Sequence, residues 1–333
     1  MQSSRVGPHN LQIIQKGLQT KLQVDEIKKG LNCNHKTISP KFFYDEKGSL
    51  LFNQICGTKA YYQTRTEQRI LESSSKKISR ILGQAVNIIE PGAGNMQKIR
   101  TILDVYQPVG YLGIDVSKKE VTNAGYNLAI DFPKLNVIGV VGDFYQIEHE
   151  DLEQWLPNGV PRAAFFPGST IGNFEPDNAV SFLKRLGKSI GKNQFAILGV
   201  DLKKRAEILH LAYNDPEGYT KEFNLNVLQR LNRDYNSDFD LKKFKHRAFY
   251  NQELGRVEMH LVSIADQVVS IGEDIFKFKE GETIHTENSY KYSRKSFLTL
   301  VQSAGFNIEE FFTDTEKYFA VAVIKFSPQK TAS

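Results

Sequence analysis

Cysteine is scarce in this chain: of 333 residues only Cys33 and Cys56 carry a thiol, and no C-x-x-C spacing occurs. That usage excludes a disulfide framework and a cysteine zinc knuckle, and it suits a reducing, cytoplasmic compartment. Long apolar runs are missing too. No stretch approaches the roughly 18 apolar residues of a membrane span. The N-terminal "MQSSRVGPHNLQ" also has no apolar leader core. A soluble protein with no membrane partner is expected. Basic tracts are absent: Lys and Arg total 43 against 38 Asp and Glu, a formal charge of +5 scattered in short pairs such as Lys203-Lys204. Nucleic-acid binders concentrate their charge, so no nucleic-acid partner is expected. No internal repeat or low-complexity segment stands out.

What is there is a globular composition. Hydrophobic residues make up 40% and charged residues 24%, enough for a sizeable core and, by length, about two domains. The runs "AVNIIEPGAGN", "GYLGIDVS", "NVIGVVGDF", "RAAFFPGSTIGNF" and "NQFAILGVDL" are short and apolar. Helical patterns separate them, as in "MQKIRTILDVYQ", where Ile99, Ile102, Leu103 and Tyr106 share a face. Apolar runs alternating with amphipathic helices predict βαβ units, hence a doubly wound α/β fold around a parallel sheet. The rhythm breaks from about 205 to 290 and returns with "SRKSFLTLVQSAGF" and the apolar "KYFAVAVIKF", a strand able to close the sheet. The break reads as an insertion that joins the N-terminal segment in a second unit. The expected partition is 61–204 with 293–328 as the cofactor domain, and 10–60 with 205–292 as the substrate-binding domain.

In open α/β sheets the ligand sits beyond the carboxyl ends of the strands. The first such end is Glu90-Pro91-Gly92-Ala93-Gly94-Asn95, where glycines let the backbone approach a ligand. It lacks the third glycine of G-x-G-x-x-G, so a dinucleotide is not supported. The second ends in Asp115, an acid able to take both hydroxyls of a ribose, and the third in Gly142-Asp143-Phe144, an acid and a ring face for adenine. In this order the three ends have the layout of an S-adenosylmethionine-dependent methyltransferase. Taken singly, each has a plainer reading: Gly92 and Gly94 as an ordinary βα turn, Asp115 as a helix N-cap before "SKKE". His260 and His285 are expected to be structural, since no acidic cluster accompanies them, and no metal site is expected.

Five longer motifs are more specific: "SPKFFYDEKGSLLFNQICGTKAYYQTRTEQRIL", "FPGSTIGNFEP", "AYNDPEGYTKEFN", "GRVEMHL" and "GETIHTENSYKYS". With these, residues 38 to 325 resemble the bacterial and fungal L-histidine Nα-methyltransferase family, which makes hercynine for ergothioneine synthesis. The resemblance implies a Rossmann-like S-adenosylmethionine domain carrying a second, substrate-binding domain. It implies cofactor contacts at Tyr44, Gly92, Lys98, Asp115, Asp143 and Phe144, and L-histidine contacts at Tyr61, Gly168, Asn173, Tyr213, Met259, Glu287 and Ser289. The glycine turn reads Pro-Gly-Ala-Gly where relatives have Leu-Gly-Ser-Gly, so a serine contact is lost there. An alternative substrate within the same family is another amino acid, such as a tryptophan derivative, although relatives of that kind lack the acid at Glu287.

Side-chain chemistry agrees with these assignments. Asn173 and Tyr213 are neutral donors suited to a carboxylate. An imidazole needs a partner for each nitrogen, and Glu287 and Ser289, at i and i+2 of an extended segment, share a face. Tyr61 is a further ring partner, and Tyr44 is the candidate orienter of the amine between the two ligands. Plainer readings exist here as well: Tyr213 as packing, Asn173 as a helix cap (a place Asp177 fills better), and Glu287 in a surface pair with Lys291. A monomer is expected.

Overall fold

The structure is a computed structural model that describes residues 8–17, 20–83 and 85–328. Residues 1–7, where part of the leader argument falls, lie outside the described residues, as do 18–19 and 84 within or beside the expected domains. Among the described residues no helix is long and apolar enough to cross a membrane.

Fourteen strands are described: β1 Leu11–Gln15, β2 Lys36–Thr37, β3 Asn87–Pro91, β4 Gly110–Asp115, β5 Asn136–Val141, β6 Arg162–Phe166, β7 Phe195–Asp201, β8 Phe244–Asn251, β9 Arg256–Ser263, β10 Gln267–Ile271, β11 Asp274–Phe278, β12 Thr283–Tyr290, β13 Phe306–Thr313 and β14 Phe319–Phe326. Eight form one sheet in the order β1-β5-β4-β3-β6-β7-β14-β13. Strands β3 to β7 are the five apolar runs, all parallel, and nearly every residue in them is buried because helices cover both faces. β14 is the "KYFAVAVIKF" strand and runs antiparallel to β7. β13, which the sequence pattern did not announce, pairs with it at the edge. The order reverses between β4 and β6 on either side of β3, so the carboxyl ends of β3 to β6 surround the switch point where ligands bind.

β2-β12-β9-β8 make a second, four-stranded sheet, and β10 and β11 a hairpin. The helices Glu46–Gly57, Ala206–Tyr213 and Tyr219–Asp234 contribute to its separate core, built from Phe42, Phe43, Phe223, Leu228, Leu261 and Ile284 among others. Most of this core comes from the stretches expected to join as a second unit. One correction concerns residues 11–15: grouped by sequence with the second unit, they form β1 and extend the large sheet beside β5. Five residues bounded by polar positions carried no βα rhythm, and only the open edge of β5 gives them a partner.

The chain crosses between the two cores at 201–204 and 290–293. There Leu202 bridges Tyr292, and the Tyr292 N–H donates to the Asp201 carbonyl at 3.0 Å.

Candidate active site

At the end of β3, Gly92 and Gly94 take φ of +68° and +51°, and a Cβ built on either meets nothing within 4 Å. The turn is therefore glycine for its backbone angle, and it faces open space. Asp115 closes it: Oδ2 accepts the Gly94 N–H at 3.0 Å and Oδ1 the Ser117 N–H at 2.9 Å. Burial raises the Asp115 carboxyl above its usual range, and these amides partly offset the rise. Asp115 is not the cap of the following helix; Ser117 is, accepting from the Glu120 N–H. Glu90 is buried against the Tyr111 hydroxyl at 2.6 Å, and burial pushes its carboxyl up to about 8.

Asp143 accepts the Tyr145 N–H at 2.9 Å. The Phe144 ring is only 6% exposed and packs on Phe182 beneath Arg185. This corrects the ring-face expectation: a residue that must fill the core under its own turn has no open face to offer. Lys98, in the first turn of the helix Gln97–Leu103, reaches Glu67 Oε2 at 2.5 Å. Gly168, at φ +80°, donates its N–H to both oxygens of Glu67 at 2.8 and 3.0 Å.

In and against the second core, Tyr44, Tyr61 and Tyr213 form an aromatic chain through Phe52, with edge-on ring contacts of 5.8, 6.2 and 6.3 Å. Burial raises the Tyr44 phenol well above its usual value, and the nearby charges of Glu287 and Asp115 push the same way. Tyr44 therefore lies within the field of both carboxylates. Asn173 ends the short 3₁₀ turn Thr170–Asn173, which lies close against β12: a Cβ on Gly172 would sit 2.8 Å from the Tyr290 carbonyl. The helix that follows is capped by neither Asn173 nor Asp177. Glu175 holds the cap position without a side-chain bond, Pro176 starts the helix, and Asp177 sits within its first turn.

A bulge in β12 decides where Glu287 points. His285 pairs with His260, but Glu287 pairs with Met259, so Thr286 is an extra residue between them. Simple alternation would place Glu287 beside His285; the extra residue turns it to the opposite face, with Met259 and Ser289. Glu287 is half-buried, and its carboxylate accepts no hydrogen bond among the described residues. Burial, partly offset by the Lys291 charge, raises it to about 7.

Comparison with known proteins is decisive at this point. The model of the family described as "Histidine-specific methyltransferase, SAM-dependent" matches residues 23–326. The histidine N-alpha-methyltransferase of Mycolicibacterium smegmatis is 34% identical over 90% of this chain and 93% of its own. The chain belongs to this family. Ergothioneine biosynthesis protein 1 of Schizosaccharomyces pombe is 27% identical over 84% of the chain and 38% of its own length. The L-tryptophan methyltransferase trpM of Psilocybe serbica is 28% identical over 81% and 83%.

Several polar groups of this histidine-specific methyltransferase were not foreseen. Lys291 is not a surface partner of Glu287. Its ammonium is fully buried, 2.9 Å from Asp201 Oδ2, 3.0 Å from the Tyr213 hydroxyl and 2.7 Å from Ser289 Oγ. The Tyr213 hydroxyl in turn donates to Ser289 Oγ at 2.7 Å. Asp201, also fully buried, accepts from Lys204 at 2.5 Å and from Tyr62 at 2.7 Å. Burial alone would raise the Asp201 carboxyl, yet the two lysines hold it below its usual range. Burial draws Lys204 down to about 8. For Lys291 burial pulls the same way, but the Asp201 charge outweighs it and the ammonium is held above its ordinary value.

Near the rim, His260 does have an acid beside it, contrary to expectation: Glu258 lies 3.0 Å from its Nε2, and Glu258, His260 and His285 cluster together. The two rings stack at 4.6 Å and 14°, so their lone pairs lie in two nearly parallel, separated planes, a poor arrangement for meeting on one ion. Arg256 already holds the Glu258 carboxylate at 2.8 Å.

Proposed function

We propose that this methyltransferase adds three methyl groups to the α-amine of L-histidine, giving hercynine for ergothioneine synthesis, in a cytoplasmic monomer. The observation that carries the substrate is Glu287. A half-buried carboxylate without a protein partner is costly to keep. On the pocket face of β12, beside Ser289, it is well placed to accept an imidazole N–H.

The cofactor residues fit S-adenosylmethionine. Each Asp115 oxygen already takes one backbone N–H and keeps a lone pair, so together they suit the two hydroxyls of a ribose. The open glycine turn at Gly92 and Gly94 leaves room for the methionyl part, with Lys98 alongside. Asp143 is free on one oxygen for the adenine amino group, with Phe144 supporting the turn from beneath. When bound, the sulfonium supplies an electrophilic methyl group.

The protein's own work is positioning. Asn173 donates to the substrate carboxylate, and Tyr213, with its hydroxyl hydrogen directed to Ser289, walls that end of the site. Gly168 shapes the loop that carries Asn173, while Tyr61 and Met259 wall the ring. The amine must be neutral to attack. The Tyr44 phenol, kept protonated by its surroundings, orients the lone pair along the transfer axis, and near-attack alignment is the chief source of rate. The proton released at each round leaves to water.

The decisive experiment incubates the purified protein with S-adenosylmethionine and each of the twenty amino acids, reading product masses. Histidine alone should gain three methyl groups. Preference for another amino acid, or a stop after one methyl at saturating donor, overturns the assignment.

A further inference from the structure

Lys291 has no role in the function proposed above, yet a fully buried lysine needs a reason. Two of its hydrogens go to Tyr213 and Ser289, and the ammonium lies 2.9 Å from Asp201 Oδ2. Ser289 Oγ accepts from the ammonium and from the Tyr213 hydroxyl, so both its lone pairs are taken. Its own hydrogen must point away from Lys291. Glu287 projects from the same face two residues earlier.

Charge acts in the same direction. Asp201 sits between two cations, Lys291 and Lys204, so the buried trio carries a net positive charge directly behind Ser289. A further cation on the pocket side of Ser289 would be repelled at low dielectric. Glu287, on that pocket side, is an acceptor without a partner. One end of the pocket thus offers a donor backed by positive charge, and the other a carboxylate.

Resting on the histidine reading, we propose that Lys291 is a positioning residue that makes Ser289 an obligate donor, so the pocket holds the substrate ring as one neutral tautomer. The protonated nitrogen faces Glu287 and the bare nitrogen faces Ser289. An imidazolium, with two N–H groups, would leave Ser289 hydrogen against hydrogen. A ring lacking a bare nitrogen at that place would suffer the same mismatch, which is a basis for selectivity separate from size.

The test is nitrogen NMR of ring-¹⁵N-labelled L-histidine bound to the full-length protein with S-adenosylhomocysteine at pH 7.5. Free histidine averages its two tautomers; the bound ring should show one pyrrole-type and one pyridine-type nitrogen. Lys291→Met should pull both resonances towards the tautomer average and weaken histidine binding at least tenfold, leaving cofactor affinity unchanged. Should that variant not fold, Ser289→Ala reports instead, and its bound ring should also average. Two imidazolium-type nitrogens in the wild type overturn the inference, as does an unaltered two-line spectrum in either variant. Failure of histidine to bind the wild type in a calorimetric titration would instead sink the substrate reading on which the inference stands.

Discussion

Glu67 and Lys98 meet at 2.5 Å, with Glu67 only 1% exposed and both its oxygens also taken by the Gly168 N–H. One carboxylate thereby ties the helix Tyr62–Leu82 to the helix after β3 and to the loop after β6. The fit is close: a Cβ on Gly199 would lie 1.9 Å from Glu67 Oε1. No other side chain fits on β7 at that point.

Glu67→Ala should therefore lower unfolding free energy by about 2 kcal/mol, since it orphans the Gly168 amide and leaves Lys98 unpaired. The loss falls below the roughly 3–5 kcal/mol of a fully buried pair because Lys98 can turn to water. Glu67→Gln, whose amide oxygen still accepts from Gly168, should lose less. Urea denaturation measures both, and equal losses would show that the Gly168 bond contributes nothing.

Asp115→Ala should weaken S-adenosylmethionine binding by far more than histidine binding. The residue closes the glycine turn and keeps a free lone pair on each oxygen for a diol. Calorimetric titration of each ligand decides the matter; unchanged cofactor affinity would remove Asp115 from the site.

Glu287→Ala should reduce kcat/KM for histidine by about one to two powers of ten, the worth of a charge-assisted hydrogen bond of roughly 1.5–3 kcal/mol. The space it frees should let tryptophan gain relative to histidine, more so with Ser289→Ala added. Were Glu287 a surface residue the ratio would not move, so the two specificity constants measured side by side are the readout.

The pH profile gives an independent check. Glu287 sits raised to about 7 from an ordinary 4.5, by burial first. Its ionised form is the stronger acceptor of an N–H, so kcat/KM for histidine should fall as pH drops through about 7. Glu287→Gln should lose the part of the fall that belongs to Glu287 while keeping the limbs that belong to the substrate's amine and ring. Stability carries the opposite sign. With the folded value above the unfolded one, burying the ionised form is a penalty that is absent below about 4.5 and grows until about pH 7. Glu287→Gln should accordingly melt with the wild type at pH 4.5 and above it at pH 8. Parallel melting curves at both pH values would mean the carboxylate is not buried as described.

The strands from β3 to β7 were legible because a parallel sheet covered on both faces needs unbroken apolar runs, and "NIIEP", "GYLGID" and "FAILGVD" are such runs. β1 and β13 were not, because edge strands alternate and depend on a neighbour for their identity. The candidate ligand residues came mainly from whole motifs at strand ends. Their partners did not, because Glu67, Asp201, Lys204 and Lys291 are charged residues whose burial no local pattern reveals.

The sequence by itself determined the α/β architecture and the family, since each rests on local periodicity or contiguous motifs. Only the tertiary structure decided which way the candidate ligand residues act. Thr286 adds one residue to β12 opposite β9 and so turns Glu287 away from His285 and onto the face of Met259 and Ser289. Lys291, two residues beyond Ser289, reads as a surface charge until Asp201, 90 positions earlier, is brought to 2.9 Å by the crossing of the chain between its two cores. Pairing register and long-range charge contacts are properties of the assembled fold, and no window of sequence contains both partners.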